Sequence, residues 1–112
     1  SEMPWYQYRK VWCALLRDEP TGYVIAGIDV GLNTEKHARY GWVLDIGVLK
    51  PYRRKRVGLT LIHVAMRYLK SLGMDEALLY VDESNPTGAM RLYERVGFGV
   101  FHRNAVYELQ LG

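Results

Sequence analysis

The sequence predicts a single α/β domain whose elements run β-β-β-α-β-α-β. Three observations carry that reading. With 112 residues and 49% hydrophobic content, the chain holds enough apolar surface for one compact core and too little for two ordinary domains. Its first half is rich in β-forming runs, whereas its second half alternates strand-like and helix-like segments. That alternation implies a sheet in which at least one crossover joins parallel strands.

The elements follow in order. "VWCALLR" (Val11 to Arg17) and "GYVIAGIDV" (Gly22 to Val30) read as strands joined by the turn sequence "DEPTG", and the two should pair antiparallel. Gly31 to Tyr40 is polar and reads as a loop. "GWVLDIGVL" (Gly41 to Leu49) is a third, mostly buried strand. From Val57 to Leu72 apolar residues recur at 57, 61, 64, 65, 68, 69 and 72, the stripe of an amphipathic helix, and Gly73 supplies its stop. "EALLYVD" (Glu76 to Asp82) is a charge-bounded strand. "SNPTGAMRLYERVGF" then offers Ser84 or Asn85 as a cap and Pro86 in the first turn of a second helix, which places Ala89, Leu92, Tyr93 and Val96 on one face and ends at Gly97. A final strand, about His102 to Leu111, completes the chain.

Charge narrows the chemistry. Lys50, Arg53, Arg54, Lys55 and Arg56 lie within seven positions, and outside them ten Lys and Arg face twelve Asp and Glu. The basic character is therefore local, which argues against a nucleic-acid face and suits a small polyanion. The turn "KPYRRKR" joins a strand to a helix whose first amides lack intrahelical acceptors, and such a helix start, ringed by cations, is an anion site for which phosphate is the natural ligand. Neither a Walker loop nor a Rossmann turn is present. The lone Cys13 and the histidines at 37, 63 and 102 have no metal-ligand spacing, so no metal is expected. No apolar run approaches a membrane span and the first ten residues lack a signal-peptide core, which leads us to expect a cytoplasmic protein with no membrane partner.

The stretch from Arg53 to Gly58 resembles the pyrophosphate-binding motif of the GNAT acetyltransferases, Arg/Gln-x-x-Gly-x-Gly/Ala, with Arg53, Arg56 and Gly58 at the marked positions and arginine in place of the first glycine. The later "NPTGAMRLYERVGF" resembles the family's second signature, and "RLYERVGF" is similar to the C-terminal domains of tandem acetyltransferases of the mycothiol-synthase type. The resemblance covers about Gly41 to Leu111. It implies a GNAT-like mixed sheet with acetyl-CoA across splayed strands. The pyrophosphate would rest on the turn and helix start (Arg53, Arg54, Lys55, Arg56, Val57 and Gly58), with Thr60 within reach, and the pantetheine would pair to backbone near Val48 and Lys50. It further implies that Asn85 approaches the cofactor, that Tyr93 protonates the departing thiolate, and that a carboxylate or ordered water deprotonates the amine acceptor. Asp45, the only acidic residue between Gly41 and Leu72, is the candidate carboxylate.

Each assignment has a plainer alternative. A basic run is commonly a solvated turn, Tyr93 at helical spacing fits a core, and Asp45 fits an ion pair with a neighbouring Arg or Lys. Cys13 reads as a small hydrophobe. Full GNAT domains begin with a strand and two helices that this reading does not find, so the acceptor side is expected to be open or completed by a homodimer or another domain, with Trp5, Tyr6 and Tyr8 at the contact. The function expected is acetyl transfer from acetyl-CoA to an amine in a ternary complex. The alternative is a non-catalytic acyl-CoA-binding or regulatory module.

Overall fold

The computed structural model describes residues 6–80, 88–102 and 106–112. They form one six-stranded sheet in the order β1-β2-β3-β4-β6-β5, with β1 Gln7–Leu16, β2 Glu19–Ile28, β3 Tyr40–Val48, β4 Glu76–Tyr80, β5 Gly99–His102 and β6 Val106–Gln110. Helices α1 Val30–Lys36, α2 Val57–Ser71 and α3 Gly88–Val96 connect them. Among the described strands only β3 and β4 pair in parallel, joined by the α2 crossover; the other pairings are antiparallel.

The β1–β2 turn is tighter than the sequence suggests. Arg17 and Asp18 both adopt positive φ (52° and 67°), the pattern of a two-residue turn whose twist matches its strands, so Glu19 to Gly22 belong to β2 rather than to a "DEPTG" turn. Pro20 has no N–H to donate to the ladder. The register shifts beside it, between Ala14 and Leu15, and the buried Thr21 hydroxyl donates to the Ala14 carbonyl at 3.1 Å.

Three further expectations are corrected. The polar segment from Gly31 to Tyr40, read as a loop, contains α1: the Asp29 carboxylate accepts from the Leu32 N–H at 2.9 Å as an N-cap, and His37 closes the helix in the left-handed region. Asn33 on this helix exchanges hydrogen bonds with the Tyr40 backbone in both directions, at 3.0 and 3.1 Å, which anchors the first residue of β3. The single final strand is instead the pair β5 and β6, and the first strand begins at Gln7. Asp82, Ser84, Asn85 and Pro86 lie outside the described residues.

Helix α2 buries Leu61, Ile62, Ala65, Met66 and Leu69 against Val24, Ala26, Val43 and Leu79 of the central strands. Tyr93 of α3 joins the same cluster, so both helices cover one face. On the other face Trp42 is buried, stacked on Tyr80 (ring centroids 4.9 Å apart) and met edge-on by Tyr6. Because side chains alternate along a strand, Leu78 and its partner Glu108 share this second face with Glu76.

Glu76 holds the Glu108 carboxyl near pH 7: the hydrogen bond between them, burial, and the Glu76 charge all favour the protonated form. An acid raised above its ordinary value of 4.5 in the folded state binds its proton more tightly there than in the unfolded chain. Its contribution to stability is therefore complete below about pH 4.5 and is lost as the pH rises to about 7. Glu108→Gln keeps a donor toward Glu76 without the second charge. Urea unfolding at pH 5.5 and 8.5 should show the substitution stabilising the chain at the higher pH, by about 1 kcal/mol after allowance for solvent screening, with little effect at the lower.

Candidate functional site

The site starts with a strand that outruns its neighbour. Tyr40 to Val43 pair with Glu76 to Leu79 of β4, and among the described residues the parallel pairing goes no further, although β3 continues to Val48 alongside β2. At the same point the β2–β3 register slips: Ile25 faces Asp45 and Ala26 faces Val43, which leaves Leu44 as the extra residue of a bulge. A bulge bends its strand and increases its twist, and so turns the end of β3 away from β4. The result is a splay whose β3 edge, from Leu44 to Val48, has no strand partner among the described residues on the β4 side.

Beyond the splay the chain reverses into α2. The Leu49 N–H returns to the Thr21 carbonyl at 2.8 Å, and a short 3₁₀ turn, Lys50–Tyr52, is closed by the Tyr52 N–H on the Leu49 carbonyl at 2.8 Å. Arg53 folds back and donates from Nε to the Val48 carbonyl at 3.0 Å. Arg54 and Arg56 both take left-handed backbone conformations, with φ of 65° and 64°. Arg56 is the N-cap of α2 and offers no side-chain cap. The first intrahelical bond runs from the Thr60 N–H to the Arg56 carbonyl at 3.0 Å, so the N–H groups of Val57, Gly58 and Leu59 precede it. No acid occupies the first turn, and Lys50, Arg53, Arg54, Lys55, Arg56 and Thr60 are exposed around it.

The sequence motif thus gathers at one place. Val48, Lys50, Arg53 through Gly58 and Thr60 form the connection itself, and Asp45 lies just upstream on β3. The Arg56 position, a glycine in the motif it resembles, has the backbone conformation that favours glycine. Gly58 meets a packing demand: a Cβ built there would lie 2.9 Å from Leu92 Cδ2, so the bare backbone lets α3 approach the start of α2. The Val48 carbonyl, in the backbone to which the pantetheine is expected to pair, accepts from Arg53 Nε. Asn85 falls outside the described residues.

Tyr93 lies on α3, in the core cluster on the helical face of the sheet. Its ring is buried and edge-on to Phe98, and burial, followed by the negative charge of Asp45, pushes its phenol above the ordinary value of 10. It is a protonated donor throughout the neutral range. Asp45 reaches the splay from the opposite face of the sheet. Sequence reasoning missed its partner, Tyr23, whose Oη donates to Asp45 Oδ2 at 2.8 Å. Among the described residues no cluster of His, Cys, Asp and Glu can hold a metal ion, and no helix is long and apolar enough to cross a membrane.

With this geometry in place, resemblance to known proteins becomes informative. The model of the acetyltransferase (GNAT) family matches residues 2–98. A mycothiol acetyltransferase of Thermobispora bispora is 37% identical over 91 residues, which is 71% of this chain and 30% of that protein. An N-alpha-acetyltransferase of Saccharolobus solfataricus is 33% identical over 90 residues, 76% of this chain and 53% of that one. Among solved structures, the PaiA N-acetyltransferase of Thermoplasma acidophilum in complex with coenzyme A superposes with a TM-score of 0.77 at 22% identity, covering 91% of this chain and 60% of its own. This chain therefore spans less than two thirds of each.

The backbone of Arg56 generates a direct test. A left-handed conformation costs a non-glycine residue about 1 kcal/mol. Arg56→Gly should therefore stabilise the fold by about 0.5–1 kcal/mol, raising Tm by roughly 3–6 °C for a domain of this size, and the β-branched Arg56→Val should lower it. Thermal unfolding of the three proteins checks the order.

Proposed function

The chain belongs to the acetyltransferase (GNAT) family, and from that premise we propose that it binds acetyl-CoA at the splay and transfers the acetyl group to an amine by direct attack. The observation that carries the proposal is the end of the β3–β4 pairing, among the described residues, at Val43 beside the uncapped, cation-ringed start of α2. The free N–H groups of Val57, Gly58 and Leu59 suit a diphosphate, and Arg54, Lys55 and Arg56 add charge-assisted donors worth about 1.5–3 kcal/mol each before non-additivity. The edge from Leu44 to Val48, without a strand partner on the β4 side among the described residues, offers backbone groups to an extended, amide-bearing pantetheine, and Arg53 would release the Val48 carbonyl for that group to take part. Asn85 completes the set in this proposal.

The acceptor arrives as an ammonium ion and gives one proton to Asp45. The freed amine nitrogen forms its bond to the thioester carbonyl carbon, the carbon–sulfur bond breaks as Tyr93 gives its phenolic proton to the leaving thiolate, and the second proton, shed by the now cationic nitrogen, returns to the Tyr93 phenolate. A phenol is a far better proton source for a thiolate than water is, and general acid catalysis of this kind is worth ~10²–10⁴ in rate. No metal takes part in this scheme. The name of one relative, an N-alpha-acetyltransferase, supports an amine-bearing acceptor.

The acceptor approaches from the face opposite α2 and α3 in this reading. That face carries Val11, Leu15 and Tyr80, each at least 58% exposed, and a homodimer or a further domain is proposed to cover it. Of the aromatic residues assigned to such a contact, Trp5 lies outside the described residues, Tyr6 packs on Trp42 and Tyr8 is 62% exposed. The unpaired, exposed Cys13 thiol is consistent with a cytoplasmic setting, where it stays reduced.

Tyr93→Phe keeps the ring in its pocket and removes the acidic proton. Turnover measured as thiol release at saturating acetyl-CoA, with a panel of primary amines, should fall by about 10²–10⁴, while CoA affinity by calorimetry stays within twofold. Binding of CoA without thiol release from the unaltered chain would favour a binding module over an enzyme.

A further inference from the structure

Asp45 is held from behind. Strand register sets Tyr23 opposite Gly47, while Asp45 lies two residues before Gly47 on the same strand. To reach Asp45 the Tyr23 ring must cross the strand diagonally, over position 47. Glycine permits this. A Cβ there would stand 2.6 Å from Tyr23 Cε1, 3.0 Å from Cζ and 3.1 Å from Oη, and real Cβ atoms do not approach ring carbons that closely. Any larger residue at 47 would lift the ring off the strand and break the 2.8 Å bond to Asp45 Oδ2.

The bond also fixes who donates. Asp45, through that hydrogen bond first and through its charge as well, raises the Tyr23 phenol above its ordinary value of 10, so Tyr23 remains a donor wherever the carboxylate is ionised. One carboxylate oxygen is thereby tied, while Oδ1 has no hydrogen bond from the described residues. A short side chain on a bulged strand beside a gap in the sheet would otherwise sample several rotamers, and a proton acceptor needs a fixed direction.

We propose that Tyr23 is a positioning residue for acetyl transfer: by holding Oδ2 of Asp45 across the bare backbone of Gly47, it presents Oδ1 to the acceptor and selects acceptors that arrive as ammonium ions. The proposal rests on the reading of Asp45 as the proton acceptor. Tyr23 touches neither acceptor nor thioester in it, and acts only through Asp45. The acceptor class is a primary amine that is cationic in solution, seated with an N–H on Oδ1 and deprotonated there.

The test uses the full chain, acetyl-CoA at saturation, and glycinamide and benzylamine as probe acceptors. Tyr23→Phe should lower kcat/KM for the amine by about 5- to 50-fold, the range a hydrogen bond to a charged group supports, and leave the KM for acetyl-CoA unchanged. In an Asp45→Asn background the same substitution should cost nothing further, a coupling that a merely structural role would not produce. Gly47→Ala, which keeps the phenol but displaces it, should reproduce the Tyr23→Phe loss. Unchanged amine kinetics in Tyr23→Phe, with a loss in Asp45→Asn, would overturn the positioning role and leave Asp45 standing. Equal losses from Tyr23→Phe in both backgrounds would also overturn it, since Tyr23 would then act apart from Asp45. Wild-type kinetics in Asp45→Asn would remove the reading of Asp45 itself, and the proposal with it.

Discussion

Among the described residues, backbone pairing between β3 and β4 runs no further than Val43 and Leu79, and the remaining features of the site depend on that interruption. A buried parallel strand normally satisfies its amides on both sides, and leaving several unsatisfied costs free energy that the fold must recover elsewhere. Here β2 satisfies one edge of β3 as far as Val48, and the bulge at Leu44 steers the other edge out of register with β4. Tyr93 lies on the helical face of the sheet and Asp45 on the other, and the Asp45 charge adds to burial in raising the Tyr93 phenol.

The connection after β3 concentrates cost at the same place. Two arginines occupy left-handed backbone, four cations lie in consecutive positions, and the helix start carries no cap. Each is unfavourable for an isolated domain, since positive φ strains a residue with a Cβ, like charges repel, and an uncapped helix lacks about 1 kcal/mol. A bound dianion would offset the charge and satisfy the amides together. Arginine at position 56 instead of glycine fits this balance, because it exchanges backbone ease for one more exposed cation at the helix start.

The sequence carried the parts of this arrangement that depend on local pattern. The stripe from Val57 to Leu72 gave α2 to within one residue, Gly97 ended α3 where expected, and the cationic run located the turn. Helix α1 escaped because Gly31, Asn33 and Thr34 are weak helix formers, although Asp29 three residues before Leu32 is a legible cap signal. The hairpin turn at Arg17–Asp18 lacks the glycine that usually marks positive φ, so the eye settles on the neighbouring Pro and Gly. Tyr23 could not be found at all from local pattern. Its role depends on a register between β2 and β3 that includes a bulge, and a slip of one residue would send the ring to the other face.

The most direct test of the splay as the coenzyme site is an amide NMR titration of the isotopically labelled chain with coenzyme A. Shifts concentrated in Leu44 to Val48 and in Arg54 to Thr60, saturating together, are the expected result. No response in those two segments at saturating coenzyme, or shifts confined to the groove lined by Ile28, Val30, Leu72 and Met74 at α1, would contradict it.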